Sequence, residues 1–142
     1  MSRCKILFSF CIAVAVTITA CSKGGGATED ELHIIDSSDT TMPVIEINSP
    51  SDNQVFTSGD TIKVEGKVTD NGLYRGSIRI TNDANDALIK EQLYEIHGFQ
   101  LYNFSLAYKT AAAVVTNYTV TVQYEDHGLN VSVKTVKVKV NP

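Results

Sequence analysis

From residue 43 onward, apolar and polar residues alternate along much of the chain. Ile62, Val64 and Val68 alternate with charged or polar residues, and the same period of two runs from Tyr118 to Tyr124. This period puts one set of side chains on one face of a β-strand, so that one face is buried and the other is wet. No segment shows a convincing helical period of 3.6 residues. The chain is therefore predicted to be all-β.

The alternation and the turn residues between its segments predict about seven strands. The predicted strands cover residues 43–47, 62–69, 74–81, 87–96, 99–108, 118–124 and 131–140. A tight turn is predicted at Asp70-Asn71-Gly72, because these residue types favour turns. The apolar parity changes between Val133 and Val136, which predicts a β-bulge near Lys134-Thr135.

Residues 1–21 have the pattern of a signal peptide. Arg3 and Lys5 precede an apolar stretch of about 14 residues, which is shorter than the roughly 20 needed to span a bilayer. The stretch ends in Ile18-Thr19-Ala20-Cys21, which resembles the lipobox of bacterial lipoproteins. That resemblance implies cleavage after residue 20 and lipidation of Cys21. The mature chain would then be anchored to a membrane, because several acyl chains on one residue hold a protein stably.

Residues 22–42 are predicted to form a flexible tether. They carry three consecutive glycines and five acidic residues against one lysine, and such a composition buries too little apolar surface to become ordered. A polar, acidic tract after the cysteine is similar to that of Bacteroidota lipoproteins, which implies attachment to the outer membrane on its periplasmic or cell-surface face. Thr40 and Thr61 lie in tripeptides that resemble the O-glycosylation sequon of that phylum.

Two motifs frame residues 43–142 as one domain that resembles bacterial immunoglobulin-like (Ig-like) domains. They read Ile45-x-Ile47-Asn48-Ser49-Pro50 with Gly66-x-Val68-x-Asp70-Asn71-Gly72-Leu73, and Tyr118-x-Val120-x-Val122-x-Tyr124-x-Asp126. The resemblance implies an Ig-like antiparallel β-sandwich. It also implies a small Bacteroidota-type lipoprotein with a single domain of this kind and no assigned function.

Charge and cysteine content exclude several classes of function. Loss of residues 1–20 removes Arg3 and Lys5 and changes the net charge from −4 to −6, so a nucleic-acid partner is not expected. All three cysteines lie at or before Cys21, which excludes a disulfide, thiol catalysis and a cysteine-ligated zinc in the folded domain. No serine lies in a nucleophile-elbow motif, and His97 and His127 are distant in sequence, so no enzyme activity is predicted.

Oxygen-bearing side chains follow two of the predicted strands. Asp70 and Asn71 follow the strand at 62–69, and Asp126 and Asn130 follow the strand at 118–124. Oxygen ligands from neighbouring loops suit Ca²⁺, which takes six to eight of them. The same residue types are also common in ordinary turns. These four residues are therefore candidate calcium ligands, with the turn interpretation left open, and no other cofactor is predicted.

The sequence thus predicts a cell-envelope lipoprotein that displays a non-catalytic, adhesion-type interaction module. The edge strands of a sandwich offer a protein partner a route for β-strand addition. The alternative is a glycan-binding accessory lipoprotein of a polysaccharide-uptake system. That function would need exposed aromatic side chains, and the candidates are Tyr74, Tyr94, Phe99 and Tyr102. The predicted partners are a membrane through Cys21 and an envelope protein or glycan.

Overall fold

The computed structural model describes residues 35–142, and all of its regular elements are β-strands. The strands are β1 (Val44–Ser49), β2 (Gln54–Thr57), β3 (Thr61–Asn82), β4 (Leu88–Lys109), β5 (Thr116–Asp126) and β6 (Val131–Asn141). The prediction of an all-β domain is confirmed. The predicted signal peptide, Cys21 and residues 22–34 of the predicted tether lie outside the described residues. No helix in the described part of the chain is both long enough and apolar enough to cross a membrane.

The six strands form one curled sheet in the order β1-β3-β5-β6-β2, with β4 paired to β3. All pairs are antiparallel except β2 with β6, which is parallel. The sequence predicts no strand at β2, because four residues are too few to show a period of two. The predicted antiparallel β-sandwich is confirmed, and this one short pair differs in being parallel.

β3 and β4 are each 22 residues long and each replaces two predicted strands. The tight turn predicted at residues 70–72 is wrong, because β3 continues through it. The register against β4 instead shifts between Thr69 and Leu73 and again between Leu73 and Arg75. On β4, Gly98 has a φ of 74°, which a glycine adopts readily. These irregularities bend the two-stranded ribbon of β3 and β4 without ending it.

The bent ribbon contributes to two layers that face each other. One layer contains β1, the first half of β3 and the second half of β4, and the other contains the remaining halves with β5, β6 and β2. Phe104 in the first layer lies 5.7 Å from Tyr124 in the second, measured between ring centroids, and Tyr108 lies 6.1 Å from Tyr118. The ribbon therefore folds over near residues 70–73 and 97–99, and this place is called the fold-over end of the domain.

Apolar side chains from both layers fill the space between them. The fully buried members include Ile62, Val64, Val68, Leu73, Ile78, Ile80, Val120, Val122, Tyr124 and Val140. Gly66 is required where β3 lies between β1 and β4, because an added Cβ would overlap the Glu46 carbonyl oxygen of β1 and the Phe104 ring of β4. This core has the predicted alternation, since the inward positions of β5 are Tyr118, Val120, Val122 and Tyr124.

The predicted β-bulge near Lys134-Thr135 is wrong. β6 pairs with β5 without a register shift from Val131 to Val140. Val133 instead lies on the outer face and is 56% exposed. Lys134 occupies an inner position, and its Nζ donates to the Ile45 carbonyl oxygen of β1 at 3.3 Å. A long lysine side chain can lie along apolar surface while its ammonium group reaches an acceptor, so the change of parity needs no extra residue.

Candidate functional site

Three carboxylates meet at the fold-over end. Asp39 lies before β1, Asp70 lies in the irregular part of β3, and Asp126 ends β5. One oxygen from each lies within 4.8 Å of the other two, so the group has the spacing of a set of metal ligands. These three residues are called the carboxylate cluster. The structure thus brings two of the predicted calcium ligands, Asp70 and Asp126, together.

Asp126 is completely buried and is held by the turn that joins β5 to β6. Its Oδ1 accepts a hydrogen bond from the backbone N–H of Asn130 at 2.8 Å, and its Oδ2 accepts one from Asn130 Nδ2 at 2.9 Å. The same Nδ2 donates to the Asp39 carbonyl oxygen at 3.1 Å. Asn130, predicted as a ligand, therefore presents its amide nitrogen to the cluster and positions two of the acids.

Asp70 has one satisfied and one unsatisfied carboxylate oxygen. Its Oδ1 accepts a hydrogen bond from the backbone N–H of Gly72 at 2.9 Å. Its Oδ2 is buried and has no hydrogen-bond partner among the described residues. Burial raises the pKa of Asp70, and the charges of Asp126 and Asp39 raise it further. Asn71, the fourth predicted ligand, is exposed and lies outside the cluster.

Asp39 was not predicted as a site residue, because it lies within residues 22–42, which were predicted to form a flexible tether. Residues 36–39 are in contact with the β5–β6 turn, since Asp36 N–H donates to the His127 carbonyl oxygen at 2.9 Å. The same β5–β6 turn is also bound to β3, because the His127 N–H donates to the Gly72 carbonyl oxygen at 2.9 Å. These contacts join positions far apart in sequence, and no local pattern indicates them.

His97 and His127 also meet at the fold-over end, although they are distant in sequence and no local pattern pairs them. Their ring centroids are 5.6 Å apart. The Tyr74 ring lies 4.7 Å from that of His97 and 5.2 Å from that of His127. On β4, Glu95 Oε2 lies 3.4 Å from His97 Nε2. The bend of β4 and the β5–β6 turn thus place two imidazoles and a carboxylate side by side.

β4 is an edge strand along its whole length. Among the described strands it pairs with β3 alone, so its other side has no strand partner. Large apolar side chains are exposed in its middle part, where Leu93 is 63% exposed, Phe99 is 54% exposed and Leu101 is 49% exposed. A row of backbone donors and acceptors beside exposed apolar groups is a surface that can pair with another strand.

The aromatic candidates for glycan binding do not form a flat exposed platform. Tyr94 and Tyr102 are partly buried against the core and meet edge to face at 5.6 Å. The Tyr94 hydroxyl donates to the Ser105 carbonyl oxygen at 2.8 Å. Burial raises the pKa of this tyrosine. Of the four candidates, Phe99 alone is exposed, while Tyr74 is half-buried beside the two histidines.

The proposed modification sites divide between the described residues and the N-terminal stretch. Thr40 and Thr61 are both exposed, so each hydroxyl is reachable from solvent. Cys21, the predicted lipidation site, lies outside residues 35–142.

Comparison with known proteins supports the fold. A family model described as a bacterial Ig domain matches residues 43–88. An engineered protein of known structure is 17% identical over 71% of this chain, with a TM-score of 0.52, and the chain spans about a fifth (20%) of its length. No curated protein matches the chain.

Two further solved structures are similar at lower scores. A fibronectin(III)-like module of Clostridium thermocellum CbhA is 16% identical, with a TM-score of 0.46, over 69% of this chain and 96% of that one. The CARDB domain of a Pyrococcus furiosus protein, solved in complex with di-metal ions, is 16% identical, with a TM-score of 0.39, over 72% of this chain and 96% of that one. With the matched family model, the two-layer architecture defines the class of the domain as an Ig-like β-sandwich.

Proposed function

We propose that the chain is an envelope lipoprotein held by Cys21 at the outer membrane, on its periplasmic or cell-surface face. Its Ig-like domain is a non-catalytic interaction module that receives an extended segment of a partner protein along β4. The observation that carries this proposal is the edge position of β4 along all of its 22 residues.

The composition of β4 supports an edge that is covered in use. Isolated edge strands are usually short or carry proline and inward-pointing charges, which prevent pairing with other chains. β4 has no proline, and its two lysines, Lys90 and Lys109, lie near its ends. Its middle part exposes Leu93, Phe99 and Leu101. An added strand would satisfy the backbone groups of this edge and bury these side chains, which is the chemistry of β-augmentation.

The test is site-specific photo-crosslinking in cells that produce the full chain. A photoreactive amino acid replaces Leu93 on β4, and a matched control replaces Val133, which is similarly exposed (56%) but lies on β6, separated from β4 in the sheet by β3 and β5. We expect one discrete adduct from position 93 and none of that mass from position 133. The adduct should weaken at least several-fold when Leu101→Lys is added, because a charge then lies at the edge.

Three results would contradict the proposal. The first is the absence of an adduct at position 93, and the second is the same adduct from both positions. The third is an adduct with twice the mass of the chain, which would assign the edge to a second copy of this protein. The glycan-binding alternative is less well supported, because Tyr94 and Tyr102 pack against the core and do not form an exposed aromatic platform.

We also propose calcium binding at the carboxylate cluster as a second function, because a specific observation favours it. Asp70 Oδ2 is buried with no hydrogen-bond partner among the described residues, beside the fully buried Asp126. A divalent cation would compensate both charges, and hard oxygen ligands suit Ca²⁺. The cation would also hold Asp39, and with it the segment before β1, against the domain.

A thermal melt of the full chain in EDTA and in millimolar calcium tests this second function. Calcium at a hundred times its dissociation constant would add about 2.7 kcal/mol to the free energy of unfolding. We expect Asp126→Asn to abolish the shift. The matched control is Asp86→Asn in the exposed loop between β3 and β4, which should keep it. No shift in the unmodified protein, or an equal shift in Asp126→Asn, would refute calcium binding at the cluster.

A further inference from the structure

We infer that His97 and His127 form a binding site for a divalent transition-metal ion of the Zn²⁺ class, with Glu95 orienting the His97 ring. This site is separate from the strand edge and from the calcium proposal, since it uses nitrogen ligands and none of the three clustered carboxylates. It would join the bend of β4 to the β5–β6 turn.

The spacing of the two rings fits one shared ion. A Zn–N bond of about 2.0–2.1 Å puts each imidazole centroid roughly 3.2 Å from the metal, so two rings at a tetrahedral angle have centroids about 5 Å apart. The observed separation between the His97 and His127 centroids is 5.6 Å. Small rotations of two side chains suffice to close this difference, and the His97 side chain is 40% exposed.

Glu95 has the position of an orienting carboxylate. Metal-binding histidines commonly direct their second ring nitrogen to a carboxylate, which fixes the tautomer and makes the ligand nitrogen more basic. Glu95 Oε2 lies 3.4 Å from His97 Nε2. Glu95 would in this way orient the His97 ring at the ion. Water would complete the coordination of the ion.

The surrounding charges favour a cation. His127 follows Asp126 of the carboxylate cluster directly in sequence, and negative charge concentrates cations near a site. Arg75 is a positive group in this region, and its guanidinium carbon lies 5.1 Å from the Tyr74 ring centroid. Arg75 is paired with Glu125 at 2.9 Å, so its charge is compensated.

The test is zinc titration of the full chain in detergent, with ZnCl₂ as the probe. Cys4, Cys11 and Cys21 are replaced by serine in every sample, because thiolates bind zinc. Isothermal titration calorimetry gives the stoichiometry and dissociation constant. Diethyl pyrocarbonate labelling, read by peptide mass spectrometry, gives the protection of each histidine separately.

We expect one equivalent of zinc and joint protection of His97 and His127. His97→Gln and His127→Gln should each weaken zinc binding at least tenfold, and each should remove the protection of the other histidine. Glu95→Gln should weaken binding about tenfold, as loss of an orienting partner does. Asp86→Asn, in the exposed loop between β3 and β4, is the control, and it should leave the dissociation constant unchanged.

The inference is overturned if the unmodified protein binds no zinc, or if binding is equally strong in His127→Gln. It is also overturned if Asp126→Asn removes zinc binding while both histidine variants retain it, since the ion would then lie at the carboxylate cluster. Circular dichroism of each metal-free variant confirms that the β-fold is intact, so a loss of binding reports the site itself.

Discussion

Tyr124→Phe is expected to make the domain more stable, although it removes a polar group from the core. Tyr124 is fully buried in β5, and its ring lies 5.7 Å from that of Phe104 and 6.3 Å from that of Tyr94. Its hydroxyl is buried and has no hydrogen-bond partner among the described residues. Burial also raises the pKa of this tyrosine, so the phenol stays neutral at any ordinary pH.

The expected gain follows from the cost of burying a hydroxyl without a partner. Such a group loses its hydrogen bonds to water and gains none, which costs about 1–3 kcal/mol. Phenylalanine keeps the ring and its contacts, so the substitution removes this cost and leaves only a small void. We expect a gain of about 1 kcal/mol or more. This gain corresponds to a rise in Tm of roughly 4–8 °C for a domain of about 100 residues.

Urea denaturation followed by circular dichroism measures the change directly. The matched control is Tyr94→Phe on β4, because the Tyr94 hydroxyl donates to the Ser105 carbonyl oxygen at 2.8 Å. That control should lose about 1 kcal/mol, the usual net contribution of a hydrogen bond. A Tyr124→Phe variant that is equal to or less stable than the unmodified protein would refute the reasoning. It would mean that the Tyr124 hydroxyl is satisfied by a group such as a bound water.

Three other predictions concern the core, the cluster and the anchor. Gly66→Ala should lower the free energy of unfolding by about 1–3 kcal/mol in urea melts, because the new methyl group overlaps atoms of the neighbouring strands β1 and β4. Gly72→Ala, where a Cβ meets nothing closer than 4.0 Å, should change it little, and equal losses would contradict this account. Asp70→Asn should raise the Tm in EDTA, because it removes one of three adjacent carboxylates, and it should abolish any rise in Tm on addition of calcium. A lower Tm in EDTA would contradict the assignment of these carboxylates as a repulsive cluster. Cys21→Ala should end fatty-acid labelling in cells while Cys11→Ala keeps it, and a labelled Cys21→Ala protein would disprove the lipobox assignment.

The alternation of apolar and polar residues predicted most of the fold, because most strands have one buried face and one solvent-exposed face. β5 is the clearest case, since its four inward residues, Tyr118 to Tyr124 in steps of two, are the buried ones. The tight turn predicted at Asp70-Asn71-Gly72 is wrong, because the chain bends there without reversing its direction. Residues that allow a tight turn also allow a bend, and the difference is set by pairing with β4, which continues on both sides of the bend. That pairing is a long-range property that the local residues do not encode.

The candidate site was predictable only where it depends on strand ends. Asp70 and Asp126 follow apolar strand patterns, and the expectation that they lie close together agrees with the geometry. Asp39 could not be predicted, because it is held at the cluster by a hydrogen bond from Asn130, which lies 91 residues further along the chain. The contact of His97 with His127 likewise depends on the bend of β4, which the sequence analysis placed between two separate strands.

The folding over of the β3–β4 ribbon gives the domain two opposite ends with different contents. Residues 36–39 lie at the fold-over end, beside the β5–β6 turn. Both ends of the ribbon lie at the opposite end, where Asp83 N–H donates to the Asn117 carbonyl oxygen at 3.0 Å and where Val114 and Val115 are 69% and 54% exposed. An antibody raised against residues 83–87 and 110–115 would therefore bind the domain without covering the histidine pair or the carboxylates.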